Sequence, residues 1–241
     1  MRLLITSGAT REPIDGVRFI SNFSTGKTGA ALADFFTGAG FAVTYLKGEG
    51  AAEPVSRCEL SGFSDFADLN ASLKRELGRR RYFAVIHLAA VSDYSVSSVR
   101  LGERSFSPGE LAKIDSHESG EELGLVLKRN LKIVDSLKSY ATTDGESELT
   151  ASPLVVAFKL TNSTDRPGAK RAADRVAASQ QVDAVVHNDL AQMRDGSGVH
   201  RFAFFRSREG QLGEAIPCAG TGELGAAMVE WFREHMREGQ S

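Results

Sequence analysis

Residues 2–31 read RLLITSGATREPIDGVRFISNFSTGKTGAA, and this stretch decides the fold. Leu3 to Ile5 is an apolar run of strand length, and Thr6 to Thr10 is a turn of small and hydroxyl-bearing residues around Gly8. A long loop follows. It ends in a second small-residue cluster, Asn22 to Gly29, which runs straight into an apolar-periodic helix. A strand that feeds a glycine and hydroxyl turn beside a helix N-terminus suits phosphate. Backbone N–H groups converge there, the helix dipole is positive, and glycine lets an anion approach the backbone. The stretch predicts a nucleotide or phosphoester site built from two separate turns.

Working outward, Phe41–Leu46, Tyr82–Ala89, Leu154–Leu160 and Ala184–His187 are further short apolar runs. Their near-continuous hydrophobicity, without alternation, predicts a parallel sheet covered on both faces. Between them, Thr28, Leu32, Phe35, Phe36 and Ala39 recur at helical spacing, and Phe63 to Arg79 carries Phe66, Leu69, Leu73 and Leu77 along one stripe. Ile133–Tyr140, Ala169–Ala178 and Glu223–Met236 supply further helices. The expected fold is α/β, a doubly wound, Rossmann-like and mainly parallel sheet. Arg201–Arg206 and the following GQLGEAIPC add a late β-hairpin extension at a sheet edge. Ser92–Glu122 is long, polar and rich in Ser and Gly, and is expected to be a functional loop; Thr142–Ser152 is expected to be a solvated surface loop. No repeat or linker divides the chain, so residues 1–241 are expected to form one nucleotide-binding domain.

Composition narrows the function classes. Among 241 residues, 29 basic side chains against 31 acidic ones give a net charge of −2. That balance argues against nucleic acid or an anionic membrane as the main partner. The two cysteines, Cys58 and Cys218, lack CxxC spacing, which disfavours a disulfide framework or a cysteine zinc site and fits a reducing compartment. No apolar run approaches the roughly 20 residues of a membrane helix, and the N-terminus has no signal-peptide pattern. A cytoplasmic protein is expected.

Gly26-Lys27-Thr28 supplies the ending of a P-loop, but the loop's first glycine is replaced by Ser21. The first strand is followed only by Ser7-Gly8-Ala9, so the GxGxxG dinucleotide fingerprint is also absent. Gly26 and Gly29 serve either close helix packing or anion binding, and Ser24, Thr25 and Thr28 beside them favour the anion. After the Tyr82 strand, Ala89 and Ala90 leave room for a flat ring. Asp93 is either a cap or an acceptor for base, sugar or metal-bound water. His87, within an apolar run, reads as a core histidine. Phe158-Lys159 and Asn188-Asp189 end two further strands, so ring-stacking, cationic and amide groups converge on one sheet edge. No nucleophile elbow and no metal cage are recognisable. Beyond a nucleotide or phosphoester site, the residues leave open a nicotinamide- or flavin-binding oxidoreductase and a non-catalytic nucleotide sensor.

The ordered set TSGAT…REPIDGVRFISNFSTGKTG, AAVSDY, KIDS with LVLKRNLKI, VVAFKL and VVHND resembles phosphopantothenate–cysteine ligase, a family of coenzyme A biosynthesis, and most resembles its stand-alone form. The resemblance implies amide formation between 4′-phosphopantothenate and L-cysteine through an acyl-nucleotide, made from CTP or ATP with Mg²⁺. It implies that Asn22 holds that intermediate. Gly8, Ser24, Gly26 and Gly29 would cradle the triphosphate; Ala89, Ala90, Asp93, Phe158 and Asn188 would surround the nucleotide. Lys113 would neutralise phosphate charge from a mobile flap. Family members are typically homodimers that share parts of the site. Ala9 stands where the family usually has glycine; Asp115 and Ser116 replace later lysines of the fused bacterial form, and Val176 and Gln180 stand where that form carries nucleotide-contacting lysines. With Lys159, these departures leave CTP or ATP open.

Overall fold

The computed structural model describes residues 1–115, 122–141, 152–162, 166–179, 181–193 and 200–238. The chain opens with β1 (Arg2–Ser7), in which Leu3, Leu4 and Ile5 are fully buried. Side chains alternate across a strand, so Leu3 and Ile5 enter one core with Phe36, Trp231 and Phe232, while Leu4 enters another with Leu69, Leu73 and Leu77. One apolar run thus seeds two helical layers, which is why it lacks a polar face.

A short hairpin follows, β2 (Arg11–Pro13) with β3 (Phe19–Ser21), and then α1 (Lys27–Gly38). β4 (Ala42–Gly48), β5 (Glu59–Phe63), α2 (Phe66–Arg79) and β6 (Ala84–His87) come next. β7 (Tyr94–Leu101), β8 (Arg104–Phe106) and β9 (Leu123–Arg129) form a separate antiparallel sheet. A 3₁₀ turn at Ile133–Ser136 leads into α3 (Leu137–Tyr140), then β10 (Leu154–Thr161), α4 (Arg166–Ala177), β11 (Ala184–Asp189) and α5 (Leu190–Met193). β12 (Phe202–Arg208), β13 (Gln211–Leu212), β14 (Ile216–Cys218) and α6 (Thr221–Glu238) complete the described chain.

The main sheet runs β13-β12-β11-β10-β6-β1-β4-β5, with β14 also paired to β12. From β5 to β11 every pairing is parallel; β12 and its partners are antiparallel. This is the doubly wound sheet with a late antiparallel extension that the sequence predicts. The chain leaves β1 toward β4 on one side and returns to β6 on the other. At such a reversal the connections diverge from the strands' carboxyl ends and open a crevice.

Two expectations need correction. The long loop after Thr10 contains the β2–β3 hairpin. The expected loop Ser92–Glu122 contains two strands, β7 and β8, with β9 following. Serines at 95, 97 and 98 make β7 look polar, and a bulge between Val96 and Ser98 breaks the period of two. That bulge brings Val96 and Val99 into one small core with Leu101 and Ile114. Smaller differences lie at element ends: Phe63 closes β5, so α2 begins at Phe66. The Thr142–Ser152 loop, apart from Ser152, lies outside the described residues, as do Ser116 and Gln180.

Candidate active site

The carboxyl ends of β1, β6, β10 and β11 open into a cleft of about 790 Å³. Ser7, His87, Phe158 and Asn188 come from those strands, and the N-terminus of α1 forms the facing wall. α1 and α2 start differently. Asp65 caps α2 by accepting a hydrogen bond from the Asp68 N–H at 2.9 Å. The N-cap of α1 is Gly26, in the left-handed region (φ +74°), with no side-chain cap and no acidic residue in the first turn. The first N–H groups of a helix have no intrahelical partner. Those of Lys27, Thr28 and Gly29 therefore stand at the cleft wall with the positive end of the helix dipole.

Glycine is required here by contact. A Cβ on Gly26 would come 2.8 Å from Ala51 Cβ, and one on Gly29 would come 2.2 Å from Ser7 Oγ. Gly29 thus lets α1 settle against β1, the packing role, and also stands in the cleft wall. Ser7 Oγ donates to Gly26 O at 3.2 Å and Ala52 N to Thr25 O at 3.0 Å, which fixes the turn before the helix.

Asn22 stands where this turn meets the segment after β6. Its Nδ2 donates to Val91 O at 3.0 Å. Next to that bond, Ser92 N donates to Thr10 Oγ1 at 3.0 Å, and Ser21 Oγ donates to Thr10 O at 2.8 Å. The loop before α1 and the loop after β6 are therefore laced together beside Asn22. A second hollow of about 300 Å³, bordered by Arg11 and Phe19, shares Asn22, Phe23 and Ser24 with the cleft, so Asn22 is approached from two sides.

Among the described residues, cations outnumber carboxylates along the cleft. Lys27, Lys132, Lys159 and Arg175 line it against Asp93 and Asp135. Lys132 pairs with Asp93 at the mouth, where both side chains are more than half exposed. An excess of positive charge in a concave, partly apolar site draws in polyanions. Among the described residues no group of three or more His, Cys, Asp or Glu side chains could cage a metal ion.

Of the sequence-predicted residues, Asn22, Ser24, Gly26 and Gly29 line the cleft, as do Ala89, Ala90, Asp93, Phe158 and Asn188. Gly8 and Lys113 do not. Gly8 (φ +87°) is wedged against Ala51 and Gly48, and its carbonyl accepts from Ala90 N at 2.7 Å, so it shapes the turn behind the cleft wall. Lys113 is exposed on the segment after β8. His87 is buried as expected. Desolvation pushes its pKa down to about 4, and its Nδ1 lies 2.8 Å from Thr6 Oγ1. Sequence reasoning missed Lys132 and Arg175. Lys132 was detectable within the LVLKRNLKI motif; Arg175, on α4, carried no local signal.

Residues 1–231 match the family model described as the DNA/pantothenate metabolism flavoprotein C-terminal domain. The chain belongs to this family. Among similar proteins, the coenzyme A biosynthesis bifunctional protein CoaBC of Methanocaldococcus jannaschii is 30% identical over 191 residues, 79% of this chain and 41% of the relative. The chain thus spans about two fifths of the length of that curated relative. The structure of the DNA/pantothenate metabolism flavoprotein from Streptococcus pneumoniae superimposes with a TM-score of 0.77 at 24% identity, covering 98% of this chain and 99% of that one. A Cab2 variant in complex with phosphopantothenate-cysteine has a TM-score of 0.66 at 21% identity, covering 98% and 88%. Both structures share the fold of this chain, a mainly parallel Rossmann-like sheet. No helix among the described residues is long and apolar enough to cross a membrane.

Proposed function

We propose that residues 1–241 form a single ligase domain of coenzyme A biosynthesis, joining 4′-phosphopantothenate to L-cysteine through an acyl-nucleotide formed from CTP or ATP with Mg²⁺. The observation that carries this reading is the uncapped start of α1 in a cation-rich cleft, directly beside Asn22. A carboxylate is a poor acyl donor because its leaving group would be oxide. Attack of a carboxylate oxygen on the α-phosphorus forms a new P–O bond and breaks the bridging bond to the β-phosphate, releasing pyrophosphate. The cysteine amine then attacks the acyl carbon; the C–O bond to phosphate breaks, the nucleoside monophosphate departs, and the nitrogen gives up a proton.

In this reading the N–H groups of Lys27, Thr28 and Gly29 hold the triphosphate, preorganised for the charge that develops there. Asn22, fixed through Val91, orients the acyl-phosphate. Ala89 and Ala90 leave space for the nucleoside, with Phe158 and Asn188 facing base and sugar. Gly8 acts from behind, by setting the turn. The cleft carboxylates Asp93 and Asp135 suit Mg²⁺, which takes few protein ligands and keeps phosphate oxygens and water. When bound it neutralises phosphate charge. Lys113 stands outside the cleft, and in this reading it reaches the phosphates from its flap, in a homodimer whose copies share parts of the site. The reading places the enzyme in the cytoplasm.

Pyrophosphate release tests the proposal. It is expected with CTP or ATP only when 4′-phosphopantothenate is present, with amide product only when cysteine is added. No release with either nucleotide rejects the ligase.

A further inference from the structure

Asp15 lies in the turn between β2 and β3, and its carboxylate is completely buried. Oδ1 accepts from Val17 N at 2.9 Å and Arg18 N at 2.7 Å. Oδ2 accepts from Arg18 Nη1 at 2.9 Å and from Ile114 N, also at 2.9 Å. The first two bonds are local turn chemistry. The fourth crosses to the residue that follows Lys113.

The same turn grips that segment at three further points. Arg18 Nη2 donates to Ile114 O at 3.2 Å, Gly16 N to Leu111 O at 2.8 Å, and Gly109 N to Ile14 O at 3.1 Å. A Cβ on Gly16 would meet Ala112 O at 2.5 Å, so the two backbones touch. Ile114 is buried in the small core beneath β7, while Lys113 stays exposed. Burial alone would raise the Asp15 carboxyl, but the Ile114, Val17 and Arg18 N–H groups and the Arg18 charge hold it below the usual carboxylate range.

We propose that Asp15 is a positioning residue: its buried carboxylate, through the Ile114 N–H, fixes the segment 111–114 and thereby sets where Lys113 stands. This rests on the reading of Lys113 as a group acting at the phosphates. A lysine on an unanchored segment spreads its charge over many positions. One held on both backbone sides presents it at one place, and a misplacement of about 1 Å costs on the order of 100-fold in rate.

Asp15→Asn removes the charge and one acceptor while keeping the side chain's shape. Gly16→Ala pushes the same segment away with the carboxylate intact, and carries the test if Asp15→Asn does not fold. Each is made alone and with Lys113→Ala. In either single variant, amide exchange at Ile114 is expected to rise at least about tenfold while β1 amides stay protected. Turnover is expected to fall by about 30-fold, with nucleotide affinity within about twofold. In the Lys113→Ala background the same substitutions are expected to change turnover by less than about twofold. Equal losses in both backgrounds, or full turnover with the Ile114 amide released, overturn the proposal. A wild-type chain that turns over nothing removes the ligase reading and the role with it; the exchange measurement then still reads the clasp by itself.

Discussion

Gly29 approaches Ser7 so closely that a β-carbon on it would lie 2.2 Å from Ser7 Oγ and 2.6 Å from Ser7 Cβ. The start of α1 is therefore set by contact with β1, and the N–H groups of its first turn are set with it. Gly29→Ala gains a little helix propensity, at most about 1 kcal/mol. It loses more, about 1–3 kcal/mol, by overpacking. A lower Tm together with weaker CTP or ATP binding by calorimetry is expected. An unchanged Tm would mean that the helix end is free to move.

Asn22 is tied to Val91 by one hydrogen bond, and a carboxylate in its place would repel the negative charge of the proposed acyl-phosphate. Asn22→Asp is expected to bind nucleotide still, while amide formation falls by at least about 100-fold. Single-turnover assays with and without cysteine separate the two steps. Turnover at the wild-type level would remove Asn22 from the chemistry.

His87 makes the fold sensitive to acid. Its pKa is lowered from 6.5 to about 4 by desolvation, so between these values the unfolded chain binds a proton that the folded chain refuses. Stability is then fully present above pH 6.5 and is lost as pH falls toward 4, by about 3 kcal/mol in all. His187 and His200, also shifted down by burial, act in the same direction. Denaturant titrations across that window should show a flatter pH profile for His87→Gln than for the wild-type chain.

The Lys132–Asp93 pair at the cleft mouth has side chains 56% and 62% exposed. Such a pair contributes under about 1 kcal/mol to folding. Lys132→Ala is expected to leave Tm nearly unchanged but to weaken triphosphate binding by about tenfold, since one charge-assisted hydrogen bond is lost. A large drop in Tm with unaltered affinity would assign the pair to the fold.

The sheet was legible because burial on both faces leaves an unbroken apolar run, as at Leu3–Ile5. The strand ends at Ala89, Phe158 and Asn188 were legible because small, cationic and amide residues (Ala90, Lys159, Asn188) interrupt the apolar runs there. The β7–β9 sheet was hidden by serines and by the bulge after Val96, which disguises alternation. The place of Lys113 was hidden for another reason. It depends on the bond from Ile114 to Asp15, 99 residues apart, and no local spacing encodes such a contact. Gly8 and Gly26 look alike in sequence, yet only Gly26 lines the cleft.

The most direct test is a crystal structure with CTP or ATP bound. The phosphates should lie within hydrogen-bond distance of the N–H groups of Lys27, Thr28 and Gly29, with the α-phosphate toward Asn22. A nucleotide seated elsewhere, with that helix end empty, would contradict the assignment.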